Sequence, residues 1–352
     1  MLKIYNINIF IPIIIELFLI TFFSFFNSHL CNKLNFKDYD SAHKIHNENI
    51  SRLGGLCILI FFIYLIFVEN TNLTFINKII ICFIPIFIIT LKEDLYHNTK
   101  PIFRLVCIFI SSFFCLYFLN FPFPYINLPI LNLLFDNVYF NLIFYAFSIS
   151  IVVNGFNFID GTNGLSLITG ISILLSLFLV SLKLDDIILA KEILIISAPL
   201  IAIFFFNYPF GKIFIGDLGS YLLGFIISTI VILFFFRHPE IKTWGAVLIL
   251  FYPSFEVLFS FIRKTKSKLS PFSADSNHLH TLVFKYLKKE YFNSKISNPL
   301  VLIIGSFLWF LPALCFYFFY NDLNFIFISF FLCSAMYIIF YKFLFFKLEK
   351  DF

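Results

Sequence analysis

Charge is what this sequence has least of. Of its 352 residues, 13% are Asp, Glu, Lys or Arg, about half the roughly 25% typical of a soluble domain. With 61% hydrophobic residues and 57 Phe, that shortage excludes an ordinary soluble enzyme, because there is too little polar material to coat its surface. Cysteine pairs in a CxxC spacing are also absent. The seven cysteines are odd in number and scattered, mostly inside apolar runs, so neither a disulfide framework nor a zinc site is indicated. Only Lys3 precedes the first apolar run, 9–26, and no small-residue cleavage site follows, so this run reads as a retained span, not a removed leader. There is no internal repeat, no polar stretch long enough for a second domain, and nothing that calls for a nucleic-acid partner. What remains is an all-α, polytopic integral membrane protein forming a single transmembrane domain over residues 1–352.

A helix needs about 20 apolar residues to cross the hydrocarbon. Eleven such spans are expected, near 5–27, 53–69, 74–91, 102–121, 138–153, 164–182, 187–206, 218–236, 241–262, 299–320 and 323–345. With the N-terminus outside, 19 of the 25 basic residues fall on inner segments or inner span ends. The other six are Lys3, Lys78, Lys183, Lys191, Arg237 and Lys242. Cytoplasmic loops carry the excess of Lys and Arg, so the C-terminus is expected in the cytoplasm. Removing one span would scramble the asymmetry. The outer stretch 121–137, with three prolines, is expected to form a small external cap.

Five polar islands then share one face. They are DYDSAHKIHNENISRLGG (38–55), LKEDLYHNTKPIFR (91–104), NGFNFIDGTNG (154–164), NYPFGKIFIGDLGS (207–220) and PFSADSNHLH (271–280). The inner loops near 28–52, 92–104, 154–164, 207–218 and 263–298 are therefore where chemistry is expected. Glu93, Asp94, Asp160 and Asp217 lie on three of them. Clustered carboxylates suit a hard cation such as Mg²⁺; without one, like charges at close range force a carboxyl to take up a proton. Lys44, Arg52, Arg263, His278 and His280 supply the positive charge that a diphosphate requires. Eight of the 12 glycines fall in or beside these islands, where backbone N–H groups can approach phosphate. The pattern reads as a metal-dependent site for a phosphorylated, water-soluble substrate beside lipid. Taken singly, each feature has an ordinary reading. An Asp at a span end caps a helix, Glu93–Asp94 beside Lys92 makes a solvated turn, and RKTKSK (263–268) anchors a helix to the inner leaflet. HxH at 278–280 is weak, since alternate residues on a helix point to different sides.

The stretches NFIDGTNGL (157–165) and FNYPFGKIFIGDLGS (206–220), with the other islands in the same order, make the chain resemble a known family. It is similar to the polyprenyl-phosphate N-acetylhexosamine-1-phosphate transferases (MraY/WecA type, glycosyltransferase family 4) over about residues 38–290. PFSADSNHLH looks like the WecA-like branch that initiates surface-polysaccharide and O-antigen lipid carriers. The resemblance implies eleven spans in the bacterial cytoplasmic (inner) membrane with the active site on the cytoplasmic face. It also implies transfer of a sugar 1-phosphate from a UDP-N-acetylhexosamine to undecaprenyl phosphate, with release of UMP, in the presence of Mg²⁺ or its substitute Mn²⁺. A homodimer is compatible with it.

Position by position, the resemblance makes Asp217 a metal ligand and Glu93–Asp94 the acidic pair. Asp160 and Asn163 match a loop associated with nucleotide binding, with Asp160 also expected at the metal and Asn157 beside it as a substrate contact. Phe214 matches an aromatic that stacks on uracil, and His278 and His280 match a histidine-rich loop near the diphosphate and sugar. Three departures stand out: Glu93 and Asn163 each replace an aspartate, and Thr281 replaces a third histidine. The last weakens the likeness to phospho-MurNAc-pentapeptide transferases. Lys44, Arg52 and Arg263 are expected to meet phosphate, and Asp94 to deprotonate or orient the lipid phosphate, with direct nucleophilic attack by an aspartate as the alternative. The rival outside enzymology is a transporter, which puts ionisable residues near the bilayer midplane, not at one face.

Overall fold

The computed structural model describes residues 52–68, 74–96, 99–120, 122–124, 126, 132–273, 275–290 and 293–349. The first expected span, 5–27, and Lys44 lie outside them. The described residues form α1 (Gly54–Val68), α2 (Thr74–Cys82), α3 (Ile84–Tyr96), α4 (Pro101–Leu119), the short α5 (Asn132–Phe135), α6 (Val138–Ile159), α7 (Leu165–Lys183), α8 (Ile187–Asn207) and α9 (Gly216–Arg237). They continue with α10 (Gly245–Ile249), α11 (Phe251–Lys266), α12 (Leu279–Glu290), α13 (Ser294–Ile304), α14 (Ser306–Trp309), α15 (Leu311–Phe319) and α16 (Leu323–Glu349). The regular elements among the described residues are all helices, and the protein is multi-pass. Among the described residues, seven stretches are able to cross a membrane by length and composition: α4, α6, α7, α8, α9, the run Ser294–Phe319, and α16.

The other expected spans take a different form. α1 is only 15 residues long. The span near 74–91 is split at Phe83 into α2 and α3, where Pro85 cannot continue the hydrogen-bond ladder. The span near 241–262 is split at Leu250, and Pro253 follows in the first turn of α11. In contrast, α6 runs past the expected end at 153 to Ile159. Its polar continuation survives because it is spent on protein: Asn154 Nδ2 donates to the Ser150 carbonyl at 2.7 Å, and Asn157 reaches α9. The islands at 91–104 and 207–220 are likewise part helix, since α3 extends to Tyr96 and α9 begins at Gly216.

At the centre is α9. Its sequence is apolar on all sides, which a helix tolerates when other helices surround it, and 94% of its most apolar window is buried against 22% for α16. α6, α1, α3 and α7 pack around it. Contact with α1 depends on two glycines. A Cβ on Gly55 would lie 2.3 Å from the Gly219 nitrogen, so the two backbones touch at that crossing, as small residues allow between membrane helices. Just before it, the Gly54 and Gly55 N–H groups donate to the carbonyls of Phe214 and Ile215 at 2.9 and 3.0 Å. This pairing holds the segment leading into α9 against the start of α1.

Gly55→Ala is expected to push α1 from α9 and to destabilise the folded protein by about 1–3 kcal/mol. Thermal melting in detergent checks it, with Gly170→Ala as the milder comparison because its Cβ meets only the methyl ends of Ile227 and Leu223.

Candidate functional site

The site forms where α9 starts. A helix N-terminus leaves backbone N–H groups without intrahelical partners, and burial makes leaving them unmet costly. Asp94, in the last turn of α3, meets two of them. Its Oδ1 accepts from the Asp217 N–H and its Oδ2 from the Leu218 N–H, both at 3.2 Å. Gly216, at φ +66°, makes the turn that presents them, with the Arg52 carbonyl only 2.9 Å from where a Cβ would sit. Asp94 is 3% exposed and lies beyond the apolar run that ends at Leu91. Burial first, and then the charge of Asp217, push its carboxyl up to about 7, against the opposing pull of those N–H groups and Arg52.

Asp217, in the first turn of α9, is held on both oxygens. Arg104 Nη1 donates to Oδ2 at 2.9 Å and Asn157 Nδ2 to Oδ1 at 3.2 Å. Asn157 also donates to Ser220 Oγ at 3.2 Å. Glu93 stands behind Arg104 at 3.9 Å and accepts from the Thr99 N–H at 2.9 Å and from the Thr99 hydroxyl. Glu93 thus closes the turn between α3 and α4, while its neighbour Asp94 faces α9. Their sequence adjacency hides this division, because consecutive helical residues point about 100° apart.

Asp160 caps the C-terminal end of α6 and accepts from the Ser166 hydroxyl. Burial, with Asp217 and Asp94 adding repulsion, pushes it up to about 8, although the Ser166 bond and Arg52 pull the other way. Asp94, Asp160 and Asp217 therefore share one electrostatic neighbourhood at one end of the bundle. Among the described residues, no three His, Cys, Asp or Glu side chains meet closely enough to hold a metal ion unaided.

The loop after Asp160 is stitched to its surroundings. The Asn163 N–H donates to Asn298 Oδ1 at 2.8 Å and its Nδ2 to the Pro209 carbonyl at 2.9 Å. The Gly164 N–H donates to Asn207 Oδ1, and Asn207 Nδ2 to the Ile213 carbonyl at 2.7 Å. Asn163 is thus buried in loop packing, with Oδ1 its one unpartnered atom. Phe214 follows this stitched segment and is half-buried beside α1.

The two histidines come together despite their i, i+2 spacing. His278 lies one residue before α12, which starts at Leu279, so the two residues are not both held at helical spacing and their rings face each other. They stack 5.7 Å apart and nearly parallel, with Phe158 5.0 Å from His278. His280 Nε2 lies against Gly161, where a Cβ would come within 2.3 Å of it, so the histidine segment touches the Asp160 loop. Burial, and then His278, push His280 down to about 3, which keeps its imidazole neutral. Arg263 is paired with Asp275, whose Oδ2 also accepts from Ser260 Oγ at 2.9 Å. Lys264 holds the same loop through the Pro271 and Ser273 carbonyls at 3.1 and 2.7 Å. Arg263, expected from the sequence to meet phosphate, is paired here with Asp275 of this loop.

Sequence reasoning passed over Arg104, Asn207 and Asp275. Arg104 and Asp275 stood inside quoted islands, where a charge facing a known acid was the available signal.

A multi-pass membrane protein with buried acids gathered at one end of its bundle is the class this geometry defines. The model for glycosyl transferase family 4 matches residues 76–235. An undecaprenyl-phosphate α-N-acetylglucosaminyl 1-phosphate transferase of Thermotoga maritima is 29% identical over 276 residues, covering 78% of this chain and 81% of that protein. A putative glycosyltransferase of Methanocaldococcus jannaschii is 30% identical over 231 residues, covering 62% and 69%. A phospho-N-acetylmuramoyl-pentapeptide-transferase of Clostridium perfringens is 30% identical over 144 residues, covering 40% and 44%. The chain belongs to glycosyl transferase family 4, the polyprenyl-phosphate N-acetylhexosamine-1-phosphate transferases.

Asp94→Asn replaces one accepting oxygen with an NH₂ group that faces a backbone N–H. The loss is expected to be about 1–2 kcal/mol of stability, read as a lower melting midpoint of the solubilised protein. Activity is expected to fall further than stability, because Asp217 loses its fixed position.

Proposed function

We propose that this protein transfers a sugar 1-phosphate from a UDP-N-acetylhexosamine to undecaprenyl phosphate, releasing UMP and forming the first lipid-linked intermediate of a surface glycan. The single observation that carries this reading is Asp94 of α3 accepting from the Asp217 N–H at the buried start of α9, with Asp160 at the end of α6 in the same electrostatic neighbourhood. Family membership supports reading that constellation as a transfer site and not an ion path. In this reading the chain crosses the bacterial cytoplasmic membrane eleven times, with the N-terminus outside and the site on the cytoplasmic face. The basic-residue asymmetry supports that orientation. The match to the Thermotoga relative spans 78% of this chain and that to the pentapeptide transferase 40%, which favours the polysaccharide-initiating branch and makes UDP-N-acetylglucosamine the first donor to test.

A divalent cation, Mg²⁺ or Mn²⁺, fits these residues. Burial first, with repulsion from the neighbouring acids adding to it, pushes two carboxyls up to about 7 and about 8 beside a third, and a bound cation would favour their ionised forms. Mg²⁺ commonly takes one or two carboxylates and completes its shell with phosphate and water, so three converging side chains are not required. Asp217 and Asp160 are the residues that would hold it, and when bound it would offset the charge of the donor diphosphate and of departing UMP.

The chain's own residues supply the rest. An oxygen of the acceptor phosphate bonds to the β-phosphorus of the donor, and the bond from that phosphorus to the bridging oxygen breaks, leaving UMP. Two anions must be brought together, so positioning and charge neutralisation dominate. Arg104 and Arg52 give fixed positive charge beside the acids. Asp94 fixes Asp217 and, with its carboxyl near neutrality, is suited to accept a proton from the acceptor phosphate. Phe214 offers a ring to the uracil, and the histidine segment faces the sugar and diphosphate.

Membranes or purified protein supplied with undecaprenyl phosphate, Mg²⁺ and a panel of UDP-sugars are expected to release UMP and yield a butanol-extractable labelled lipid. Asp217→Asn is expected to abolish UMP release while the protein stays folded; normal turnover in that variant would remove the metal assignment. Phe214→Ala is expected to raise the donor KM more than it lowers kcat, and an unchanged KM would argue against stacking.

A further inference from the structure

One buried acid takes no part in the site described so far. Glu256 lies in α11, inside a stretch that hydropathy reads as an ordinary span, and it is 1% exposed. Both of its oxygens are partnered. Oε1 lies 2.9 Å from His278 Nδ1, and Oε2 accepts from Tyr337 Oη at 2.8 Å. Tyr337 belongs to α16, the last helix, so three distant parts of the chain meet at this carboxylate. Burying an ionisable group among membrane helices is expensive, and a well-packed apolar residue often serves stability as well or better. The pair therefore asks for a role other than stability.

Its geometry indicates one. The His278 ring is flanked by Phe158 at 5.0 Å and by the parallel ring of His280 at 5.7 Å. Those contacts fix the plane of the ring, and the carboxylate on Nδ1 fixes which edge turns inward. The opposite nitrogen, Nε2, lies 4.0 Å from Asp275 Oδ2, longer than a hydrogen bond. Beside it, His280 touches the loop that bears Asp160. A carboxylate behind a working histidine sets its tautomer and orientation in many sites.

We infer that Glu256 is a positioning residue for the transfer reaction, acting through His278 to present Nε2 to the donor diphosphate, with Tyr337 holding Glu256 from the last helix. The inference rests on the transferase reading above and extends the site to a helix far from its acids in the chain.

The test measures UMP release from UDP-N-acetylglucosamine and undecaprenyl phosphate by purified, folded wild type, E256Q, Y337F, H278Q and the E256Q/H278Q double variant. E256Q is expected to lower kcat about tenfold to hundredfold, the scale of one charge-assisted hydrogen bond, with donor KM within about twofold. Y337F is expected to show a smaller loss in the same parameter. The double variant is expected to be no slower than H278Q, because Glu256 has nothing left to act through. Losses that multiply in the double variant, or an E256Q enzyme with wild-type kcat, would overturn the inference. Should H278Q turn over too slowly for the cycle, the split decides: a rise in KM with kcat intact in E256Q and Y337F overturns it, and a fall in kcat at constant KM sustains it. An inactive wild type with every UDP-sugar overturns the transferase reading itself, which separates that failure from failure of the Glu256 assignment.

Discussion

Two hydrogen bonds, from the Asp217 and Leu218 N–H groups to Asp94, hold the site in place. Helix α9 is surrounded by other helices, so its N-terminus cannot rely on bulk water to satisfy its donors. An unmet buried donor costs about 1–3 kcal/mol, which requires α3 to end where α9 begins. Arg52 and Gly54 must then pass close by, since Gly216 and the Phe214–Ile215 carbonyls admit only bare backbone at that point. Satisfying one helix end thus fixes the relative placement of α1, α3 and α9, and with them the carboxylates of Asp94 and Asp217.

The same arrangement concentrates negative charge. Asp94 and Asp160 are each pushed up by burial and by the acids around them, while Arg52 opposes both shifts and Arg104 neutralises Asp217 directly. A bundle selected for stability alone would not collect acids at a buried helix start. In the proposed reading the arrangement has a purpose: carboxylate would serve a counter-ion of the donor diphosphate, and fixed guanidinium would serve its phosphates. Such preorganised charge is costly without substrate and most effective where water is scarce.

Much of this was legible in the sequence. Long apolar runs gave most of the spans, and the polar islands between them named Asp94, Asp160, Asp217, Asn157 and His280, which the structure brings to one end of the bundle. Hydropathy counts residues without seeing which neighbour each one faces. It therefore ended α6 at 153, although Asn154 and Asn157 spend their amides on protein, and it passed over Glu256 because apolar residues surround it in sequence. It also joined α2 to α3 and α10 to α11, where a proline interrupts an otherwise uniform run. Arg104 was visible as a charge, but its partner lies 113 positions away. The histidine pair looked weak because helical spacing was assumed, whereas His278 lies one residue before its helix.

The boundaries of the family match divide the site in an informative way. Residues 76–235 contain Asp94, Arg104, Asp160 and Asp217, the groups to which the proposed mechanism gives the handling of charge. The histidine segment and its supports, Glu256, Asp275 and Tyr337, all lie beyond residue 235. Charge neutralisation at a diphosphate is the same task whatever sugar is carried, whereas discrimination among sugars needs contacts that differ. The Asp275 loop is suited to such change: its ends are pinned by α11 and α12, and its polar atoms are tied within the loop by Arg263 and Lys264. Substitutions in it can alter donor contacts while the acids at the start of α9 stay fixed. His280 against Gly161 and Phe158 against His278 join the histidine segment to the loop and helix end that bear Asp160, and Pro253 of α11 lies against Gly155 of α6, so the placement of the histidines relative to the acids depends on close contacts.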